Sequence, residues 1–296
     1  IEVRKTRLEA IKEQEDKQLA AIRQKWAEKR REIENLSIHK RNRRNLLALA
    51  RKLGVNTLDT AQAYGKAETR LGTRPTADFR LVNKLAPGIQ AAEIATSVAG
   101  SLQRLAHTRL DGLLLHRSQD ASPALFEQLA DLQHQGKVGK VGVSVYSPEE
   151  LALWLAQGYP LELVQLPANL LDQRFLRSGW LDRLQAMGCE IHVRSLFLQG
   201  LLLMQPDLRP DHFHPFSEQL ARLDGWQPHS SPLHKALSLI PALPQVSRFV
   251  VGICHAHELA AIASAYAHLH PCHDDELSAL ACDEPALINP ALWRTS

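Results

Sequence analysis

From residue 45 to residue 296 the sequence predicts an α/β fold of the parallel kind. The expected architecture is a TIM-type (β/α)8 barrel lacking its first strand, behind an N-terminal helical, coiled-coil-like extension over residues 1–44. Three observations carry this. Short runs rich in Val, Leu and Ile alternate with longer segments of helical periodicity, as βα units require. Seven such runs can be counted, and repeated βα units imply a parallel sheet covered by helices. Three consecutive runs end in, or pass straight into, a polar side chain, as buried strands do when they deliver a group to the rim of a sheet. A doubly wound open sheet is the second reading. No Gly-x-Gly-x-x-Gly follows any strand, so that reading lacks its phosphate loop.

The elements follow in order. Residues 1–35 contain neither Gly nor Pro and are dense in Glu, Lys, Arg, Gln, Ala and Leu, all good helix formers. Leu8, Ile11, Leu19, Ile22, Trp26 and Ile33 form a narrow apolar seam suited to packing on another helix. The run from His39 to Arg44 reads as a charged joint. A helix beginning at Asn45 stops at Gly54. Strands are expected over Thr57–Ala61, Phe79–Leu85, Leu110–His116 and Val141–Tyr146. Between them fall AETRLG and helices over about 91–105 and 123–135. A helix then opens on Pro148, a residue that suits a first turn, and ends at Gly158. The segments LELVQLP, WLDRLQAMG, EIHVRSLF, PLHKALSLIPAL, RFVVGI and HELAAIASAYAHL continue the alternation.

Bulk properties narrow the class. The chain has 296 residues, 45% hydrophobic and 23% charged. One barrel of about 250 residues fits within that length. No apolar stretch approaches the roughly 18 residues that span a bilayer, so no membrane partner is expected. The charged start shows no signal peptide, and Cys189, Cys254, Cys272 and Cys282 form no CxxC pair. A cytoplasmic, reducing location follows as the expectation. Residues 1–44 hold 14 Lys and Arg against 8 Asp and Glu, while the remainder holds 21 against 24. The basic excess belongs to the arm, and no nucleic-acid partner is expected for the barrel. His268, His270, Cys272 and His273 match no closed ligand spacing, so no metal is expected.

Four residues stand where chemistry would need them: Asp59 and Tyr64 in NTLDTAQAYG, Lys84 in FRLVNKL and His116 at the end of LDGLLLH. Each alone has a structural reading: a capping carboxylate, a surface aromatic, a solvated ammonium, a packed imidazole. Together, on neighbouring strand ends, they can protonate a developing alkoxide. A phenol titrates near ~10, and a nearby ammonium favours the phenolate and lowers that value. The carboxylate would hold the ammonium, and the imidazole would hydrogen-bond the reacting oxygen.

The ordered motifs GVNTLDTAQAYGKAETRLG, LVNKL, LDGLLLH, GKVGKVGVSVYSPEEL, VQLPANLLDQRF, RSLFLQGLLL and VVGICHAHELAAI, between Asn45 and Leu269, resemble the aldo-keto reductase family. The resemblance implies NAD(P)H-dependent reduction of a small aldehyde or ketone without a metal. It implies that Asp59, Tyr64, Lys84 and His116 form the catalytic tetrad, with Tyr64 as proton donor. It places Ser144 and Gln165 at the nicotinamide carboxamide, and Arg194 where many members put a Tyr that stacks on nicotinamide. Ser195, Phe197 and Gly200 fall on a loop that offers backbone N–H groups to the pyrophosphate. Gly252 to His257, with Cys254 and His255, takes the place of the loop around the adenosine 2′-phosphate, without its usual Lys or Arg. NADPH is expected ahead of NADH. Nothing fills the place of the family's first strand. The alternative is therefore an inactive partial barrel whose coiled-coil arm serves protein interaction, and self-association through that arm stays open.

Overall fold

A computed structural model describes residues 46–269 and 274–293. The expected arm over 1–44 lies outside the described residues, as do His270, Cys272 and His273. Seven strands form one sheet: β1 (Thr57–Asp59), β2 (Arg80–Lys84), β3 (Leu110–Leu115), β4 (Val138–Ser144), β5 (Leu163–Pro167), β6 (Glu190–Arg194) and β7 (Arg248–Phe249). They pair in sequence order, every neighbour parallel. A doubly wound sheet would reverse its order at a switch point, and this one does not. The fold is the curled βα arrangement of a barrel carried through seven strands. Among the described residues no ladder joins β7 to β1. Across those two edges Arg248 Nε donates to Thr57 Oγ1 at 3.2 Å.

The seven expected strands are the seven observed, with shifted ends. β4 starts at Val138 rather than Val141, because Leu110 pairs with Val138 and Gly112 with Lys140. The glycines of GKVGKVG disguise this. A Cβ at Gly142 would lie 1.7 Å from the Leu163 carbonyl oxygen, and one at Gly139 2.6 Å from that of Asp111. Close backbone approach, not a turn, demands glycine there. β7 contracts to two residues of RFVVGI. The helices Pro123–His134 and Pro148–Ala156 each begin with Pro behind a serine cap, Ser122 and Ser147, which accept from the Leu125 and Glu150 N–H groups. No helix among the described residues is long and apolar enough to cross a membrane.

Strand alternation sorts the side chains into two faces. Leu81, Leu113, Val143, Val164, Ile191 and Val193 belong to the main core, packed with Trp154, Leu129 and other helical residues. Each fully buried Leu, Ile or Val adds roughly 1.5–3 kcal/mol to that face. The opposite face is layered. Val82, Leu114 and Leu163 form a small apolar cluster at mid-height. Two residues earlier on the strands lies a charged floor. There Glu190 accepts from Lys140 Nζ at 2.7 Å and Arg80 at 3.3 Å, and meets His192 Nε2 at 2.9 Å. Burial pushes the Glu190 carboxyl up, but the Lys140 and His192 hydrogen bonds and the Arg80 and Lys140 charges outweigh it and lower it to about 2. Two residues later on the strands lie Lys84 and Gln165, at the C-terminal rim.

Candidate active site

Pairing continues beyond β1 into the loop that carries Tyr64. Thr60 N–H donates to the Val82 carbonyl at 2.9 Å and Gln62 N–H to that of Lys84 at 3.0 Å. The Gln62 amide then accepts from Ala86 N–H at 2.8 Å and donates to Ser101 Oγ at 2.9 Å. Downstream, Glu68 is buried in the short helix Ala67–Gly72. It accepts from Asn83 Nδ2 at 2.8 Å and Arg104 Nε at 2.7 Å. Asn83 directly precedes Lys84, so the segment holding the phenol is tied to the strand holding the ammonium.

Lys84 is 1% exposed. Its Nζ donates to Asp59 Oδ1 at 2.5 Å and to the Thr60 carbonyl at 3.2 Å. The second Asp59 oxygen accepts from Gln165 Nε2 at 2.8 Å. Tyr64 is half exposed, and Lys84 Nζ lies 5.4 Å from the centre of its ring. The His116 ring meets Tyr64 edge-on at 5.9 Å between centroids. Asp59, Tyr64, Lys84 and His116 line one cavity of about 1080 Å³ at the C-terminal ends of the strands. The sequence named these four, and the fold brings them together.

Their electrostatics differ in part from the sequence expectation. Burial lowers the Lys84 pKa, against the opposing pull of Asp59. Burial also lowers the His116 pKa, helped by the Lys84 and Arg194 charges, so the ring is neutral at pH 7. Its Nδ1 is buried and has no hydrogen-bond partner among the described residues. Tyr64 is raised rather than lowered: burial leads, the Asp59 charge adds to it, and Arg194 opposes both. Lys84 was the expected activator of the phenol. Asp59 neutralises it at contact distance, and Arg194 is the cation that favours the phenolate.

Ser144, Gln165, Arg194, Ser195, Phe197, Gly200, Gly252 and Cys254 line the same cavity. His255 does not. It is the N-cap of helix Ala256–Tyr266, in a capping box with Glu258, whose Oε2 accepts from Cys254 N–H at 2.7 Å and His255 N–H at 3.1 Å. His257 and Glu258 face the cavity instead. Asn169 is structural: its Oδ1 accepts from the Leu171 and Asp172 N–H groups, and its Nδ2 donates to the Ser195 carbonyl. The loop after β6 runs through left-handed φ at Ser195 (62°), Leu198 (44°), Gln199 (54°) and Gly200 (91°). Sequence reasoning missed Tyr146, Gln199 and Glu258 among the lining residues. Tyr146 stands two residues after Ser144, and that period-two spacing was the available signal.

A dinucleotide suits this lining. The cavity reaches from the tetrad, with the Ser144 hydroxyl and Gln165 amide beside it, to the N-terminal turn of Ala256–Tyr266. His116, whose Nδ1 has no hydrogen-bond partner among the described residues, lines it, and so does Arg194, whose guanidinium has donors beyond its bonds to Ser195 Oγ and the Val145 carbonyl.

A sequence model of the Aldo/keto reductase family matches residues 25–281. An aldo-keto reductase from Mycolicibacterium smegmatis is 32% identical over 173 residues, covering 54% of this chain and 61% of that protein. The chain thus matches less than two thirds of that curated relative's length. Among solved structures, the holo form of an aldo-keto reductase from Bacillus halodurans is similar with a TM-score of 0.69 at 20% identity, covering 84% of this chain and 89% of that one. A glycerol dehydrogenase from Gluconobacter oxydans gives 0.66 at 22% identity, covering 82% and 84%. At these identities the structural likeness is one of fold.

Proposed function

The chain belongs to the aldo/keto reductase family, and from that premise we propose that it reduces aldehydes or ketones to alcohols with NADPH as hydride donor and Tyr64 as proton donor. The observation that supports this most is the convergence of Asp59, Tyr64, Lys84 and His116 on one cavity, with Lys84 clamped by Asp59. Bound NADPH supplies the hydride that the carbonyl carbon accepts.

The chain's own groups do the rest. Tyr64, raised by burial, keeps its proton at neutral pH and gives it to the carbonyl oxygen as negative charge builds there. Neutral His116 donates a hydrogen bond to the same oxygen, a fixed dipole aimed at developing charge. Asp59 orients Lys84, and Gln165 orients Asp59. Ser144 and the free face of Gln165 are the groups proposed to hold the carboxamide. Ser195, Phe197 and Gly200 would approach the pyrophosphate, and Gly252 and Cys254 the adenosine end. Residues 45–296 form the proposed catalytic unit, with 1–44 as an appended arm.

The test is NADPH oxidation with small aldehydes by the full chain and by Tyr64→Phe. A loss on the order of 10²–10⁴ in kcat, with NADPH affinity retained, is expected. Equal rates for the two proteins would remove Tyr64 as the donor. A cooperatively folded chain that binds no nucleotide would favour a bare scaffold serving interaction.

A further inference from the structure

Arg194 ends β6, and its guanidinium faces the cavity beside the tetrad. One terminal nitrogen donates to Ser195 Oγ at 3.1 Å and the other to the Val145 carbonyl at 3.0 Å. Its Cζ lies over Tyr146, 4.2 Å from the ring centre. A guanidinium carries five N–H donors, so these contacts fix the plane and leave donors over. Among the described residues no carboxylate pairs with it. The acids whose charge reaches it, Asp172 and Glu150, are held elsewhere, Asp172 by Arg174 and Glu150 by Ser118 Oγ and the Tyr146 N–H; Asp59 is taken by Lys84 and Gln165, and Glu258 by the Cys254 and His255 N–H groups. Among the described residues Lys84 has a carboxylate in contact, Asp59, and Arg194 has none. An enclosed cation with no carboxylate in contact is costly: burial disfavours the Arg194 charge, and Asp172 and Glu150 offset this only in part.

We propose that Arg194 recognises an anion, and that the substrate of this site is an aldehyde or ketone bearing a carboxylate. This rests on the reductase reading above and goes beyond it by naming the substrate class. A planar fork held on both sides matches a carboxylate with two parallel hydrogen bonds. Leu196, Leu203 and Leu233 give the cavity an apolar wall for a short aliphatic chain between the carboxylate and the carbonyl. A dinucleotide phosphate is a second source of the same negative charge, and the experiment separates the two.

Rates of NADPH oxidation are compared for 4-oxobutanoate and its uncharged counterpart butanal, with the full chain, Arg194→Gln and Arg194→Lys. NADPH affinity is followed by fluorescence and succinate binding by calorimetry. The preference for 4-oxobutanoate over butanal should fall about 10- to 100-fold in Arg194→Gln, mostly through KM, as for loss of a charge-assisted pair. Arg194→Lys should keep part of it, and succinate binding should weaken in parallel with the preference. An unchanged preference overturns the proposal. So does a rise in the NADPH dissociation constant with the preference intact, which would assign the guanidinium to the dinucleotide. If the wild type reduces neither aldehyde, the reductase reading fails and succinate decides this one. Binding that is lost in Arg194→Gln supports the anion site, and no binding by the wild type overturns it.

Discussion

Replacing Asp59 by Asn tests the clamp at the centre of the site. Asp59 has two oxygens and both are used, Oδ1 by Lys84 Nζ at 2.5 Å and Oδ2 by Gln165 Nε2 at 2.8 Å. Asparagine offers one oxygen, so an amide N–H must confront either the ammonium or the Gln165 amide. The Lys84 side chain is 2% exposed and that of Asp59 13%, so little water enters to compensate. Removing one partner of a buried pair costs about 3–5 kcal/mol. The remaining carbonyl still accepts from Lys84, which puts the expected loss near the lower end, about 3 kcal/mol. Urea unfolding followed by tryptophan fluorescence, at constant m, measures it. The pH dependence has a definite sign. Lys84 already titrates below its ordinary 10.5 because it is buried. Between the folded and unfolded values the unfolded chain binds more protons, so stability rises with pH through that window. Loss of the carboxylate lowers the folded value further, which widens the window downward. The Asp59→Asn penalty should therefore be greatest below it and shrink as pH approaches 10.5. Lys84→Met in the Asp59→Asn background removes the stranded cation, so the double variant should be about 2 kcal/mol more stable than additivity gives. A single-variant loss under about 1 kcal/mol, or strict additivity, would refute the clamp.

The remaining predictions concern the frame. Gly142→Ala would place a Cβ 1.7 Å from the Leu163 carbonyl oxygen and should prevent β4–β5 pairing, leaving no cooperative unfolding transition. Gly225→Ala, at an open helix end, should be neutral or gain up to about 1 kcal/mol. A folded Gly142→Ala would contradict the close approach. Glu190 is depressed to about 2 in the fold, so its contribution is present above the unfolded value of 4.5 and is lost as pH falls from there toward 2. Lys140→Met should raise the Glu190 pKa and move the acid-unfolding midpoint upward. An unshifted midpoint would mean that the charged floor does not govern acid stability.

How far the sequence disclosed this molecule depends on how far apart the partners lie. The helix AETRLG is observed over Ala67–Gly72 as read, and the strands that deliver Asp59, Lys84 and His116 stand where their apolar runs placed them. Periodicity and caps are local, so they are legible. Charge compensation is not. Arg80 and Glu190 are 110 residues apart, and each begins a strand, where a charge reads as a solvated boundary. The capping box of His255 with Glu258 spans three residues, yet which histidine turned to the cavity depended on the capping geometry, and His257 did. The same logic explains Tyr64 and Arg194. Sequence put an ammonium near the phenol and expected activation. The pairing of Asp59 with Lys84 was expected; the fold adds that the Asp59 charge also raises Tyr64 and that the cation opposing this is Arg194, which has no carboxylate in contact among the described residues. Whether a charge has a carboxylate in contact is decided in space, not along the chain. On the proposal made above, substrate choice at this site turns on Arg194, and the four tetrad residues supply the chemistry common to any carbonyl bound there.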